Sequence, residues 1–299
     1  MKSVLLLVLA VASTLITVSA SEHPFSVAAT VRSQADLEAG AQPIASPFRD
    51  LTVAAKRNAR AADFADSVVG YDAGAGTSPR FQNPAAALGA PSQTNPFGEA
   101  TDPFNPPYGT NQIVSIGAGG WLVLQFSTPI LNHPNNLHGY DFTLFGNSGF
   151  IITNDFDPVT FDWIGIPATD SSLFGFNEGE TRVSVSRDGV NFFTLQPALA
   201  PIVDGLFPTD SAGDPHRPPL PGLTLPDFAG ATLEDIRTLY NGSAGGTPYD
   251  IAWAIDSRGE RVFLPQVNFI RIDVLSGKSE IDAVASVSRT PRFGGARVR

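Results

Sequence analysis

Short apolar runs separated by glycine, proline and asparagine set the pattern of this chain. Residues 121–126 (W-L-V-L-Q-F) and 140–145 (Y-D-F-T-L-F) are rich in strand formers, and the residues around them stop any helix. They read as two adjacent strands. In the first, Leu122, Leu124 and Phe126 share one face, and Trp121, Val123 and Gln125 share the other. Both faces are largely apolar, which predicts a strand inside a two-layer sheet packing rather than on a wetted surface. Residues 68–71 and 113–116 read as earlier strands, separated by a Gly-rich turn over 72–80 and a long Pro/Asn/Phe loop reaching Asn111.

Beyond the central runs, T-R-V-S-V-S (181–186) alternates strictly, Arg187-Asp188-Gly189 turns, and N-F-F-T-L (191–195) returns. Asp-Gly between alternating strands predicts a hairpin with a type I′ turn. Residues 197–230 are Pro-rich and irregular. Thr232 then stands where it can cap L-E-D-I-R-T-L-Y, with Leu233, Ile236, Leu239 and Tyr240 on one helical face and Asn241-Gly242 ending it. Three closing strands are expected over 250–256, 268–275 and 281–288. In the middle one Ile270, Ile272 and Val274 point inward, opposite Arg271 and Asp273.

Composition supports an all-β body with one short helix and long loops. The 299 residues contain 28 Gly, 25 Pro and 21 Phe, a balance suited to many short strands joined by turns. Cysteine is absent, which removes disulfides, thiolate metal sites and a Cys nucleophile together. Lys2 followed by an apolar run over 4–18 and Val18-Ser19-Ala20 reads as a secretory signal cleaved after Ala20. The expected layout is signal peptide 1–20, flexible spacer 21–62, β-sandwich 63–288 and loose basic tail 289–299. Within the spacer, residues 49–60 form a basic stretch. No later segment is apolar for long enough to span a membrane. A formal net charge of −10 excludes nucleic acid as partner and tolerates divalent cations.

Four stretches carry a resemblance when taken in order: A-A-A-L-G-A-P (85–91), V-S-I-G-A-G-G-W-L-V-L-Q-F (114–126), Y-D-F-T-L-F-G-N (140–147) and V-S-V-S-R-D-G-V-N-F (183–192). Residues 233–254 and E-I-D-A-V-A (280–285) extend it. The whole resembles a group of secreted bacterial surface proteins, many of them sorted by a C-terminal PEP-CTERM signal. The resemblance implies an antiparallel jelly-roll β-sandwich of the galactose-binding-like kind, at an extracellular or cell-surface address. Such sorting signals carry an apolar helix, and this sequence ends G-G-A-R-V-R without one.

Enzyme signatures are missing: there is no Gly-x-Ser-x-Gly elbow, no His-Glu-x-x-His and no phosphate-cradling glycine loop. His133 and His138 share one Asn-rich turn and read as solvated. Hard-cation chemistry wants several oxygens held by turns. Galactose-binding-like sandwiches often hold one structural calcium ion. The residues that could hold one here are Asp72, Asp141 with Asn147, the group Asn154/Asp155/Asp157, and Glu280/Asp282. The competing reading gives the loop residues to turns and leaves Asp282 in solvent or accepting backbone N–H groups. Sugar sites pair an aromatic platform with polar side chains that fix hydroxyls. Phe161, Trp163, Phe174 and Phe176 could supply the platform, and Asn177 and Arg182 the polar contacts. Trp121 and Trp253 read as core.

The reading that follows is a secreted, non-catalytic module of the cell surface or matrix, binding glycan or another surface component. Two alternatives remain: a polysaccharide hydrolase using paired carboxylates, and a purely structural envelope protein.

Overall fold

The structure is a computed structural model and describes residues 63–175, 179–204 and 206–287. The expected signal peptide, spacer with its basic stretch, and basic tail lie outside the described residues, as do Phe176 and Asn177.

The body is an all-β sandwich of two antiparallel sheets. The larger has six strands: β1 (Ser67–Asp72), β3 (Trp121–Leu131), β13 (Gln266–Val274), β9 (Thr181–Ser186), β10 (Phe193–Leu195) and β12 (Ala254–Ile255), in that spatial order. The smaller has four: β11 (Thr247–Tyr249), β4 (Phe142–Gly146), β14 (Lys278–Ser286) and β2 (Val114–Gly117). Alternate residues of both sheets meet between them. Leu122, Leu124, Phe126, Ile270, Ile272 and Val274 come from one side, and Val114, Ile116, Phe142, Leu144, Ile281 and Val284 from the other. The inward set expected for β13 is fully buried.

One expected pairing is corrected. The runs at 121–126 and 140–145 are not neighbours: β3 pairs with β1 and β13, whereas β4 pairs with β11 and β14 in the other sheet. Two apolar faces identify a buried strand but cannot say which partner it bonds to. A second correction concerns 250–256. Asp250 accepts a hydrogen bond from the Ala252 N–H (2.7 Å) and caps a 3₁₀ turn over Ile251–Trp253, leaving only β12 as strand.

The hairpin of β9 and β10 is present, with Phe193 opposite Val185 and Thr194 opposite Ser184. Its turn is not type I′, because Gly189 has positive φ but Asp188 does not. The loop is longer and organised on the Asp188 carboxylate, which accepts from Val190 N–H (2.9 Å), Asn191 N–H (2.8 Å) and the Asn191 amide (2.8 Å). Those donors hold its pKa well below the usual carboxylate value.

Among the described residues there is one α-helix, α1 (Leu233–Tyr240), and it starts and stops where the sequence requires. Thr232 and Asp235 form a capping box, and Asn241 closes the helix in the left-handed conformation (φ 50°). Ile236 and Tyr240 face inward and meet Phe104, Phe150, Phe207 and Phe228 in a second apolar cluster beside the sandwich. Tyr240 donates its hydroxyl to Pro208 O at 2.7 Å, satisfying the polar end of a buried ring.

Trp121 is not core. It stands on the outer face of the large sheet, with its ring over Gly70, where a Cβ would come within 2.8 Å of the indole. The Arg271 guanidinium covers the ring at 4.7 Å. Trp253 is half-buried and packs against the edge of the main core.

Both ends of the described fold lie in one place: Phe64 bridges Ala285, and Ala65 N–H donates to Val284 O at 3.2 Å. No helix among the described residues is long and apolar enough to cross a membrane.

Candidate functional site

An arm projects from the sandwich between β5 (Gly149–Ile152) and β8 (Thr169–Phe174), which pair with each other as a separate two-stranded sheet. Phe150 of β5 is fully buried in the cluster under α1, so the base of the arm is anchored in apolar packing. Beyond the base, β6 (Phe156–Asp157) and β7 (Asp162–Trp163) form a small hairpin with Phe156 opposite Trp163.

Side chains inside the arm define its shape. Asn154 acts as a staple: its carbonyl accepts from Ala168 N–H (2.7 Å), and its amide donates to Ile164 O (3.1 Å) and Ile166 O (3.0 Å). Asp157 accepts from Val159 N–H at 2.8 Å and starts the turn, and those turn donors lower its pKa. Phe161 then takes positive φ (60°), an unfavourable conformation for an aromatic residue. It delivers the ring edge-on to Phe156 at 5.4 Å, and Trp163 packs edge-on to Phe156 from the other side at 5.3 Å. The result is an aromatic corner of three rings.

That corner is open. Phe156 is 40% exposed and Phe161 60%, and the flanking Val159, Ile164 and Ile166 are exposed as well. Isolated exposed apolar residues are ordinary, but this many on one hairpin single it out as the candidate surface. The surrounding charge has one sign: Asp155, Asp157, Asp162 and Asp170 lie within residues 150–175, which contain no Lys, Arg or His. The Asp155 side chain is exposed and can accept a hydrogen bond from a ligand hydroxyl.

The other expected ligand contacts lie elsewhere. Phe174 is only 9% exposed, and its ring presses on Gly149 so closely that a Cβ there would approach to 2.5 Å. It anchors the arm and is not a platform. Arg182 sits on β9 and pairs with Asp273 at 3.4 Å, alongside Arg271, which reaches the same carboxylate at 2.7 Å. This Trp121–Arg271–Asp273–Arg182 row is internally paired on the outer face of the large sheet, so Arg182 is already engaged.

The candidate metal ligands separate into different environments. Asp72 accepts from Gly74 N–H (3.0 Å) and serves its turn. Asp282 accepts the backbone N–H (2.7 Å) and hydroxyl (2.8 Å) of Ser92, tying the loop at 92 to β14. Asp141 does not join Asn147. Its carboxylate takes the Asn136 amide (2.7 Å) and the Ile251 N–H (2.8 Å), with Asp250 beside it. Burial first, then the Asp250 charge, raise the Asp141 pKa to about 7 despite those two donors. Asp250 is raised as well, again mainly by burial.

Asn147 instead meets Glu280, donating its amide to Oε2 at 2.5 Å. The third member of this group is Asp204, which sequence patterning did not suggest. Asp204 takes positive φ (59°) and accepts from Ser148 N–H at 3.2 Å. Its carboxylate lies against Gly146, where a Cβ would sit 1.8 Å from Oδ1. Asn147, Asp204 and Glu280 are each 5% exposed or less. Burial, and after it the Glu280 charge, push the Asp204 pKa well upward. Among the described residues, no three His, Cys, Asp or Glu side chains converge as metal ligands; this group has two carboxylates and an amide.

No protein-family model matches this sequence, and no curated protein matches it either.

Proposed function

We propose that this protein is a secreted, non-catalytic module of the cell surface or extracellular matrix that holds neutral glycan on the aromatic corner of its arm. The observation that carries the reading is the Phe156/Phe161/Trp163 corner, with Phe156 and Phe161 exposed and Trp163 half-buried, on a hairpin whose base is locked into the core. Rings presented edge-on to one another leave flat apolar faces for the C–H faces of sugar rings, and Asp155 offers an acceptor for a hydroxyl. With four acidic residues and no base over 150–175, anionic polymers such as uronates or sulfated glycans are repelled. The resemblance to secreted surface sandwiches of the jelly-roll, galactose-binding-like kind agrees with this role and with the secretory reading of the N-terminus.

A carboxylate-pair hydrolase has less support. The acids that the fold brings together, Asp204 with Glu280 and Asp141 with Asp250, include three that are 5% exposed or less and cannot flank a sugar bond.

Trp163→Ala is expected to weaken neutral-glycan binding on an array by about 2 kcal/mol, roughly thirtyfold, as for an aromatic anchor. Far-ultraviolet circular dichroism and melting temperature should stay near wild type, because the half-buried ring packs within the arm and not in the sandwich core. A wild-type protein that binds no neutral glycan, or a variant that binds as well as wild type, rejects the reading.

A further inference from the structure

The Asn147/Asp204/Glu280 group contains more oxygen than its neighbours satisfy. Asn147 Oδ1, Asp204 Oδ2 and Glu280 Oε1 are all buried and all lack a hydrogen-bond partner. Half of the buried unpartnered side-chain atoms among the described residues therefore belong to one cluster, the others being scattered hydroxyls of Thr101, Ser115 and Thr143. A buried acceptor with no donor is costly, and an unpaired buried carboxylate more so. Lys278 Nζ lies 3.3 Å from Glu280 Oε1, an ion pair rather than a hydrogen bond. With Asp204 ionised, one ammonium faces two carboxylates, and the group needs a further positive charge.

Two paired strands and the segment carrying Asp204 build the group. Asn147 follows β4, Glu280 lies in β14 beside it, and Asp204 is pressed onto Gly146 between them. Its donors are carboxylate and amide oxygens, with no nitrogen or sulfur. That set suits a hard cation, and calcium tolerates the irregular geometry and mixed carboxylate, amide and backbone-carbonyl coordination that strand ends supply.

We infer that Asn147 Oδ1, Asp204 Oδ2 and Glu280 Oε1 form a binding site for one divalent cation of the calcium type. The ion supplies the missing positive charge and partners all three orphaned oxygens together. It bonds the end of β4 to β14 and to the segment carrying Asp204, so it acts as a clamp on the small sheet. The site is separate from the arm, and its test does not depend on glycan binding.

The competing way to neutralise the cluster is a proton on Asp204, and the test separates the two. Full-length protein stripped with chelator is titrated with calcium chloride alone at pH 7.5, by calorimetry and thermal melting. Wild type is expected to bind one ion and gain several degrees in melting temperature, reversed by EDTA. Asp204→Asn, which imitates the protonated acid, is expected to fold without calcium and to lose the calcium-dependent gain. Asn147→Asp adds a third carboxylate and is expected to melt lower than wild type in chelator but to show a larger calcium gain. A wild-type melting curve indifferent to calcium overturns the inference whatever the variants do. So does a gain that Asp204→Asn retains, which places the ion elsewhere on the acidic surface.

Discussion

Phe228→Ala is expected to lower unfolding free energy by about 3–5 kcal/mol, the range for deleting a fully buried aromatic ring. Phe228 has no solvent exposure and touches three other rings, with centroids at 4.9 Å to Phe150, 5.8 Å to Phe207 and 5.7 Å to Tyr240. Those contacts join α1, the 3₁₀ turn over Leu225–Phe228 and β5. This cluster is separate from the inter-sheet core, so the damage should be uneven. Hydrogen exchange should quicken most at α1, β5 and β8, while β13 at the centre of the large sheet keeps more of its protection. Because β5 and β8 carry the arm, glycan affinity should fall with it even where the sandwich stays folded. A loss below 1 kcal/mol, or exchange that quickens equally in every strand, contradicts this division of the core.

The second large effect is a fall in stability as pH rises from about 4 to 7. Asp141 has its folded pKa raised to about 7, above an unfolded value of 3.8, so the folded state holds a proton that the unfolded chain has released. Its stabilising contribution is complete below the unfolded pKa and is lost as pH rises through the folded one. Each unit in that window removes about 1.4 kcal/mol, so unfolding by urea at pH 5.5 and pH 8 should differ by about 2 kcal/mol. Both conditions stay above the sequence isoelectric point near 4.7. Asp250→Asn keeps the side-chain carbonyl that accepts from Ala252 and removes the charge beside Asp141. That variant should be more stable than wild type at pH 8 by about 1–2 kcal/mol, with a shallower pH slope. In metal-free protein Asp204 pushes in the same direction, so the measurement is made in chelator and the difference between variant and wild type is the quantity to read. Asp157, Asp170, Asp188, Asp227, Asp235 and Asp256 act oppositely, since their lowered pKa values protect the fold until pH drops below the usual carboxylate range. Stability that increases from pH 5.5 to 8 would rule out the buried acid pair as the dominant titrating element.

How far the sequence could be read depended on how local each determinant is. The helix was legible to the residue, because the capping box of Thr232 and Asp235, the apolar face and the Asn241 terminus all lie within ten residues. Strand positions were legible from alternation, but partners were not. Phe269 of β13 pairs with Gln125 of β3, and no feature of either run names the other. The hairpin at Asp188 was found where expected, yet its turn type was decided by how many side-chain bonds one carboxylate could accept. At the arm, aromatic density in F-D-W-I-G-I marks Phe161 and Trp163, while nothing local marks Phe156, because only pairing across the hairpin sets it between them. Phe174 belongs to the same aromatic set, and nothing local distinguishes the ring that anchors the base from those that stand free. Asp204 was invisible. It is one acid in a Pro-rich stretch without periodicity, and its partners at 147 and 280 are distant in sequence.

The meeting of Phe64 with Ala285 means that the polypeptide enters and leaves the sandwich at a single spot. Such a body can be spliced whole into a surface loop of an unrelated carrier without prying the carrier's own chain apart. It also invites circular permutation. A short linker across the old ends, with new termini opened at Gly222, where an added Cβ would meet no atom within 4 Å, should yield a chain that rebuilds the same two sheets from a different starting point.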